Sequence, residues 1–442
     1  MSEEETRAAV KDNKLLSAYL DVTVHSEFPA LYSVWSVIGC ASAALGRHAW
    51  FDFGISNIYP NMYVVLSGTP GSRKSEAQKP PVALLREAAK GLRFAPHDTG
   101  DRPQGLIEAI LQPVDCAEEQ TGVEMNELLF DTPIDLLGYP PLKADKHFMF
   151  LYNDDIGTNF GTGIVALARF LSKMWDGLEY TGRLKRSQFK VNGGLMAILG
   201  ATTPDDMHRF MPAESIGQGF PSRIIFVNAK RKGKVAWPKD VKKESGFLRE
   251  AYEWMFTDCL GAFSLSDEAR ELVGSLYLTG ATAISDTRFV YYKERRHTQL
   301  LKLMCICAAL EKTMAINATH VRTAHSLLLI TETTMPDALG EFGLSPLSKA
   351  KHGLLVFIEA TDGWIPRKAL RQLTCRDIAS EAMFSEVLLE FMATGKVIKD
   401  NLPDIGEVYR ASNKSEKRKD RAAIRAMLKK GNNENVSSLL DL

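Results

Sequence analysis

The run Asn61–Ser75, NMYVVLSGTPGSRKS, constrains the fold more than any other stretch of the chain. Met62 to Leu66 is apolar and rich in β-branched and aromatic residues, which reads as a parallel strand buried on both faces. Ser67 to Ser72 holds turn-forming residues, and Arg73-Lys74-Ser75 opens the next element. Strand, glycine-containing turn, Lys-Ser and then a helix is the layout of a phosphate-binding loop. Glycines such as Gly68 and Gly71, with Ser72, let backbone N–H groups close around a phosphate. Lys74 would reach the β- and γ-phosphates of ATP, and the Ser75 hydroxyl would ligate Mg²⁺. Arg73 stands where this pattern has its second glycine. A non-glycine residue there is expected to keep a helical rather than a left-handed backbone. Its guanidinium would either add a second cation near the phosphates or point to a neighbouring surface. The competing reading is an ordinary strand–turn–helix that carries Lys-Ser by chance.

A chain of 442 residues holds two or three domains. Lys+Arg and Asp+Glu both number 54, so nucleic-acid binding must come from local patches and not from global charge. The six cysteines include no C-x-x-C pair, which points to neither a zinc site nor a disulfide framework. The acidic start MSEEETRAAVKDNK is not a secretory signal. Ala30 to Leu45 is too short to span a bilayer. A cytoplasmic location with no membrane partner is the expectation.

Taken in order, residues 1–50 form a helical segment packed on a nucleotide core at 51–243. Trp50 to Tyr59 reads as a short strand and turn. After the loop, Glu76 to Leu92 continues as a helix broken early by Pro80 and Pro81. Thr99 to Gly105 is a basic turn before a helix, either a nucleic-acid contact or a plain helix start. Cys116 to Lys146 reads as a loop or insertion. His147 to Asp155, HFMFLYNDD, is a hydrophobic strand ending in two acids, the Walker B pattern. Asp154 would hold Mg²⁺, and Asp155 would polarise the attacking water; the alternative is a surface turn. Gly163 to Trp175 is an amphipathic helix. Around Gly182 a hairpin would present Arg183, Lys185, Arg186 and Lys190 to DNA phosphates, or simply to solvent. Leu195 to Gly200 is a further strand. At its end Thr203, or Thr202, would sense the γ-phosphate, unless both merely cap the next helix. Arg223, at the entrance of the strand Ile224–Val227, suits an arginine finger reaching into the next subunit; a structural ion pair is the alternative.

Residues 244–341 read as a nearly all-helical lid, with Ser264 and Ser266 as N-caps and Asn317 or Thr319 capping its last helix. Arg296, or Arg295, at the start of its third helix would touch the γ-phosphate. Cys305 and Cys307 read as core residues. Residues 345–412 carry three helices and a hairpin in the order of a winged helix, which binds DNA or proteins. Residues 413–442 form a basic tail with an amphipathic stretch.

The order of these parts resembles an AAA+ ring helicase, the minichromosome-maintenance group among others. In that group an acidic Walker B pair, a hairpin, an Ala-Asn-Pro sensor and a Ser-Arg-Phe-Asp finger occupy matching places. Here Asp154-Asp155, Arg183 to Lys190, Thr203 and Ser222-Arg223 stand at those places. The stretch Tyr59–Ser75, with its Arg-Lys pair, is similar to a family of P-loop proteins from phages and mobile elements, usually labelled helicase- or primase-associated. The similarity covers roughly Leu16 to Ile330. The chain departs from the ring-helicase pattern at Arg73, Asp155 and Thr203. The resemblance implies an α/β fold: an AAA+ type P-loop core with a parallel sheet, an all-α lid and a C-terminal winged helix. It implies a homo-oligomer, as a hexameric ring, that hydrolyses ATP with Mg²⁺ and unwinds DNA in phage or mobile-element replication. The alternative is a replication initiator, helicase loader or regulator that uses ATP to assemble and binds duplex DNA through the winged helix, with other replication proteins as partners.

Overall fold

The structure is a computed structural model. It describes residues 3–89, 94–95, 127–130, 148–153, 163–178, 180–184, 187–191, 194–207, 219–340, 346–361, 363–374, 378, 380–403 and 405–412. The chain divides into two compact units, Met1–Gly343 and Leu344–Leu442.

The first unit opens with α1 (Glu3–Val10) and α2 (Lys14–Val22), the latter capped by the Asn13 side chain, which accepts from the Leu16 N–H. Next comes α3 (Ala30–Leu45), in which all sixteen residues are buried. No charged side chain interrupts it, and a helix apolar all round belongs inside a core. It packs against the central sheet and is surrounded by several helices of the unit. A hairpin of β1 (Ala49–Phe53) and β2 (Ser56–Ile58) turns through Gly54 at φ 62. Then come β3 (Tyr63–Ser67), α4 (Lys74–Ala88), β4 (Phe94–Ala95), β5 (Glu127–Phe130) and β6 (Phe148–Asn153). Helix α5 (Gly163–Asp176) leads into the hairpin β7 (Tyr180–Leu184) and β8 (Ser187–Val191). Strands β9 (Leu195–Thr202) and β10 (Ile224–Asn228) complete the central sheet.

That sheet has the order β10-β3-β9-β6-β5-β4. Strands β10, β3, β9 and β6 run parallel, while β5 is antiparallel to both β6 and β4. Every residue of β3 and β9 is buried, as expected of central parallel strands covered on both faces. Strand β5 falls in the stretch expected to be loop. A short apolar run, Leu128-Leu129-Phe130, becomes a strand because β6 offers it an open edge.

The helix after the loop is a second departure. Pro80 and Pro81 were expected to break it, yet α4 runs through both to Ala88. Ala77, Val82, Leu84 and Leu85 are all at most 2% exposed, and this burial outweighs two lost backbone donors.

The remainder of the unit comprises α6 (Val241–Glu244), α7 (Gly246–Thr257), β11 (Gly261–Leu265), α8 (Asp267–Thr279), α9 (Val290–Leu310), β12 (Ala315–Ile316), α10 (Ala318–Glu332) and α11 (Met335–Leu339). The nearly all-helical reading of this region needs correction. Gly261 to Leu265 is a strand that pairs in parallel with β1, in a second sheet of order β12-β11-β1-β2. The region therefore shares a sheet with the N-terminal hairpin, and one hydrophobic core runs from Val10 to Leu339.

The second unit contains α12 (Pro346–Ala360), β13 (Ile365–Pro366), α13 (Arg367–Thr374), α14 (Glu381–Ala393), β14 (Val397–Leu402) and β15 (Gly406–Ala411). Its sheet has the order β13-β15-β14, and its own core gathers Leu354, Ile358, Leu370, Phe384, Leu388 and Tyr409. Among the described residues no helix is long and apolar enough to cross a membrane.

Candidate phosphate-binding site

Residues 68–73 leave the C-terminal end of β3 and turn directly into α4. Ser67 pairs with Thr202 across the ladder, and the Gly68 N–H donates to the Thr202 carbonyl at 3.4 Å. A tight turn comes next, closed by the Ser72 N–H on the Thr69 carbonyl at 3.1 Å. The Lys74 side chain folds back under this turn. Its ammonium donates to the carbonyls of Gly68 at 2.6 Å and Thr69 at 3.2 Å, and to the Ser72 hydroxyl at 3.4 Å. Thr69, Pro70 and Gly71 are exposed, while Ser72 and Lys74 are buried beneath them.

Gly68 has no room for a side chain. A Cβ there would collide with the Tyr32 hydroxyl and stand 2.9 Å from the Ser72 hydroxyl. Tyr32 of α3 is the pillar under the loop: its hydroxyl donates to the Ser67 carbonyl at 2.8 Å and accepts from the Ala229 N–H at 3.1 Å. A second tie runs from the Ser67 hydroxyl to the Ala338 carbonyl in α11 at 2.6 Å. The loop thus sits on groups from α3, β9, β10 and α11. Helix α4 begins at Lys74, so its first-turn N–H groups and positive dipole end face the loop. This donor set, one ammonium, one Ser75 hydroxyl and a helix N-terminus, fits a phosphate chain with its Mg²⁺.

Arg73 differs from expectation. Its backbone is left-handed, φ 66 and ψ 28, the conformation a glycine adopts freely. Its guanidinium is held by Glu27, which accepts from Arg73 Nε at 2.8 Å and Nη2 at 2.6 Å. Glu27 also accepts from Arg231 Nη2 at 3.0 Å and from the Val235 N–H at 3.1 Å. The Val235 N–H and the two guanidiniums hold the Glu27 carboxyl well below the usual carboxylate range, down to about 2.

Strand β9 lies between β3 and β6, in parallel with both, so its end stands beside the loop. Thr202 is buried there, and Thr203 exchanges bonds with Asp206: its hydroxyl donates to Oδ2 at 2.7 Å and accepts from the Asp206 N–H at 3.1 Å. In this arrangement Thr203 closes the turn 203–206. Strand β6 ends at Asn153, and Asp154 and Asp155 lie outside the described residues.

Arg223 is not brought to the loop. Ile224 pairs with Tyr63 and Asn228 with Ser67, so Arg223 marks the end of the sheet where β3 begins. Five strand residues separate it from the loop, about 16 Å. Its side chain is 7% exposed and donates to Asp176 Oδ2 at 2.5 Å and to the Gly219 carbonyl. Other cations gather at the same end. Arg295 approaches Asp176 at 3.9 Å, and Lys302 lies 4.0 Å from the centre of the Trp175 ring. The Lys302 ammonium donates to Asn61 Oδ1 at 2.5 Å and to the Trp175 carbonyl at 3.4 Å. Burial pushes the Lys302 amine down to about 7, opposed by the Asp176 charge and assisted by Arg223.

Arg296 is likewise internal. It pairs with Glu332 at 2.5 Å, and Glu332 has no exposed side-chain surface. The Tyr292 hydroxyl, the Thr282 hydroxyl and the Ala283 N–H complete that carboxylate. In the β7–β8 hairpin Arg183 stands opposite Gln188 and Lys190 opposite Thr181, whereas Lys185 and Arg186 lie outside the described residues.

Glu27, Asp176, Lys302 and Glu332 escaped the sequence reading. Two of them carried a signal. Lys302 is the lone charge in LLKLMCICAAL, and Glu332 the lone acid in LLLITETTM, each a charge placed where an apolar residue belongs. Glu27, before Phe28-Pro29, and Asp176, before Gly177, stand at chain turns, where an acid marks nothing. A comparison with protein-family models gives no match, and a comparison with curated protein sequences gives none either.

Proposed function

We propose that the chain is an ATP-hydrolysing P-loop protein of the AAA+ type, a ring-forming DNA helicase serving phage or mobile-element replication in the cytoplasm. One observation carries the reading. A turn that wraps a lysine ammonium leaves the C-terminal end of a buried parallel strand and opens a helix, beside the end of a neighbouring strand that separates it from β6. Lys74 and the N–H groups around Gly71 and Ser72 would hold the triphosphate, with Ser75 and Asp154 on Mg²⁺ and Asp155 on the attacking water. The bound nucleotide supplies a phosphoanhydride bond; the chain supplies charge and position. The test is binding of a fluorescent ATP analogue with Mg²⁺, then strand displacement. Wild type binds and unwinds, and Lys74→Ala does neither. Binding that persists in Lys74→Ala would remove the reading.

A second reading, an initiator, loader or regulator that uses ATP to assemble, draws on two observations. Arg223 is occupied by Asp176. In the second unit the third helix α14 exposes Glu381, Glu386 and Glu390 beside Met383 and Leu389 and carries no basic residue of its own, while Arg367, Arg371 and Lys351 from neighbouring helices are paired to Glu381 and Glu390. Such a face suits a protein partner better than DNA phosphates. Slow hydrolysis without unwinding would select this reading.

A further inference from the structure

We propose that Glu27 is a positioning residue for the loop, holding Arg73 in the left-handed conformation that the last turn before α4 requires; the proposal rests on the ATP-binding reading above. Arg73 and Lys312 are the non-glycine residues with positive φ among the described residues. Arg73 stands at the N-cap of α4 without a side-chain cap of its own, so nothing local to its own side chain favours that backbone. The compensation comes from 46 residues upstream. Both donors of Arg73 converge on Glu27 Oε2, at 2.8 and 2.6 Å. Glu27 is itself fixed by further donors, since its Oε1 takes the Val235 N–H and Arg231 shares its Oε2 with Arg73. Lys232, next to Arg231, is tied to the Thr23 and Val24 carbonyls, which braces the segment that carries Glu27. A glycine would need none of this, because it reaches positive φ without steric cost. The chain therefore uses an ion pair where the usual motif uses a glycine, and loop shape becomes dependent on the segment 23–29.

The test is a cycle of four full-length proteins: wild type, Glu27→Gln, Arg73→Gly and the double variant. Glutamine can still accept from the Val235 N–H, so it removes the charge while keeping the segment's own bond. Affinity for a fluorescent ATP analogue falls about tenfold in Glu27→Gln, the scale of the left-handed penalty for a non-glycine residue. It does not fall in Arg73→Gly or in the double variant, so glycine rescues the loss. Two results overturn the proposal. One is an equal fall from Glu27→Gln whether arginine is kept or replaced by glycine, which a purely structural Glu27 gives. The other is a loss from Arg73→Gly alone, which a phosphate-contacting Arg73 gives. Should wild type bind no nucleotide, the ATP reading fails, and the cycle is read from urea midpoints instead. Glu27→Gln then lowers the midpoint more in the wild-type background than in the Arg73→Gly background, and equal lowering overturns the proposal.

Discussion

Lys302 gives the sharpest quantitative expectation. Its side chain is buried in α9 against Trp175 and Asn61, and burial lowers its amine to about 7 from the ordinary 10.5. Between those two values the unfolded chain carries a proton that the native protein lacks. Stability therefore rises with pH across this window and is lowest below 7, where the native protein must hold a buried ammonium. The distance between the two values corresponds to about 5 kcal/mol in all. Integrated from about pH 6.5 to about pH 8.5, the gain is about 2 kcal/mol. The hydrogen bond to Asn61 Oδ1 survives deprotonation, because a neutral amine still donates. The perturbation is Lys302→Met, which removes the titration and keeps most of the volume. Urea unfolding of both proteins, monitored by tryptophan fluorescence at about pH 6.5, 7.5 and 8.5, reads the difference between them. Taking the difference cancels the buried histidines and thiols common to both. Wild type gains about 2 kcal/mol relative to Lys302→Met over this range. A separation that stays constant with pH would refute the reasoning, since it would mean that the ammonium keeps its proton throughout.

Three further outcomes rest on particular contacts. Gly68→Ala places a methyl group against the hydroxyls of Tyr32 and Ser72, so it lowers stability by about 1–3 kcal/mol in urea unfolding and weakens binding of the ATP analogue. Glu332→Leu leaves the buried Arg296 guanidinium unpaired and costs about 3–5 kcal/mol, measured by urea unfolding, whereas replacing both partners with apolar residues costs less. Lys312, at φ 54 just past the end of α9, is a position that favours glycine; Lys312→Gly is neutral or raises stability by about 0.5–1 kcal/mol in a thermal melt.

What the chain shows in its residue pattern is whatever depends on near neighbours. The apolar runs Tyr63–Ser67 and Leu195–Thr202 are buried parallel strands, and charge-free α3 is wholly buried. Ser266 and Asn317 cap their helices, because a cap bonds two or three residues ahead. The pattern fails where the deciding partner is distant. Arg73 takes the left-handed backbone beside Glu27, and no rule of local conformation contains Glu27. Strands β5 and β11 exist because β6 and β1 present edges to them. Pro80 and Pro81 stay in α4 because the helix packs on both sides of them. Arg223 and Asp176 are 47 positions apart, so the ion pair that occupies the expected finger lies beyond any motif.

The same separation bears on how such a chain works. Strands β3 and β10 are locked in register from Tyr63–Ile224 to Ser67–Asn228, and all but Asn228 of these residues are buried. A packed parallel sheet does not shorten, so within one copy Arg223 stays about 16 Å from the loop that holds Lys74. Arg223 can meet a phosphate chain only on a second copy. Even then it must first leave Asp176, the Gly219 carbonyl and the face of Trp175. Leaving Asp176 to Arg295 is tolerable, because Arg295 already approaches the same carboxylate and is more exposed than Arg223. An exchange of Arg223 for Arg295 on Asp176 would keep that carboxylate neutralised while freeing one guanidinium. The cluster therefore has the charges to serve either reading: closed, it is a structural knot at the base of the sheet; opened, it would free one guanidinium while Arg295 kept Asp176 paired.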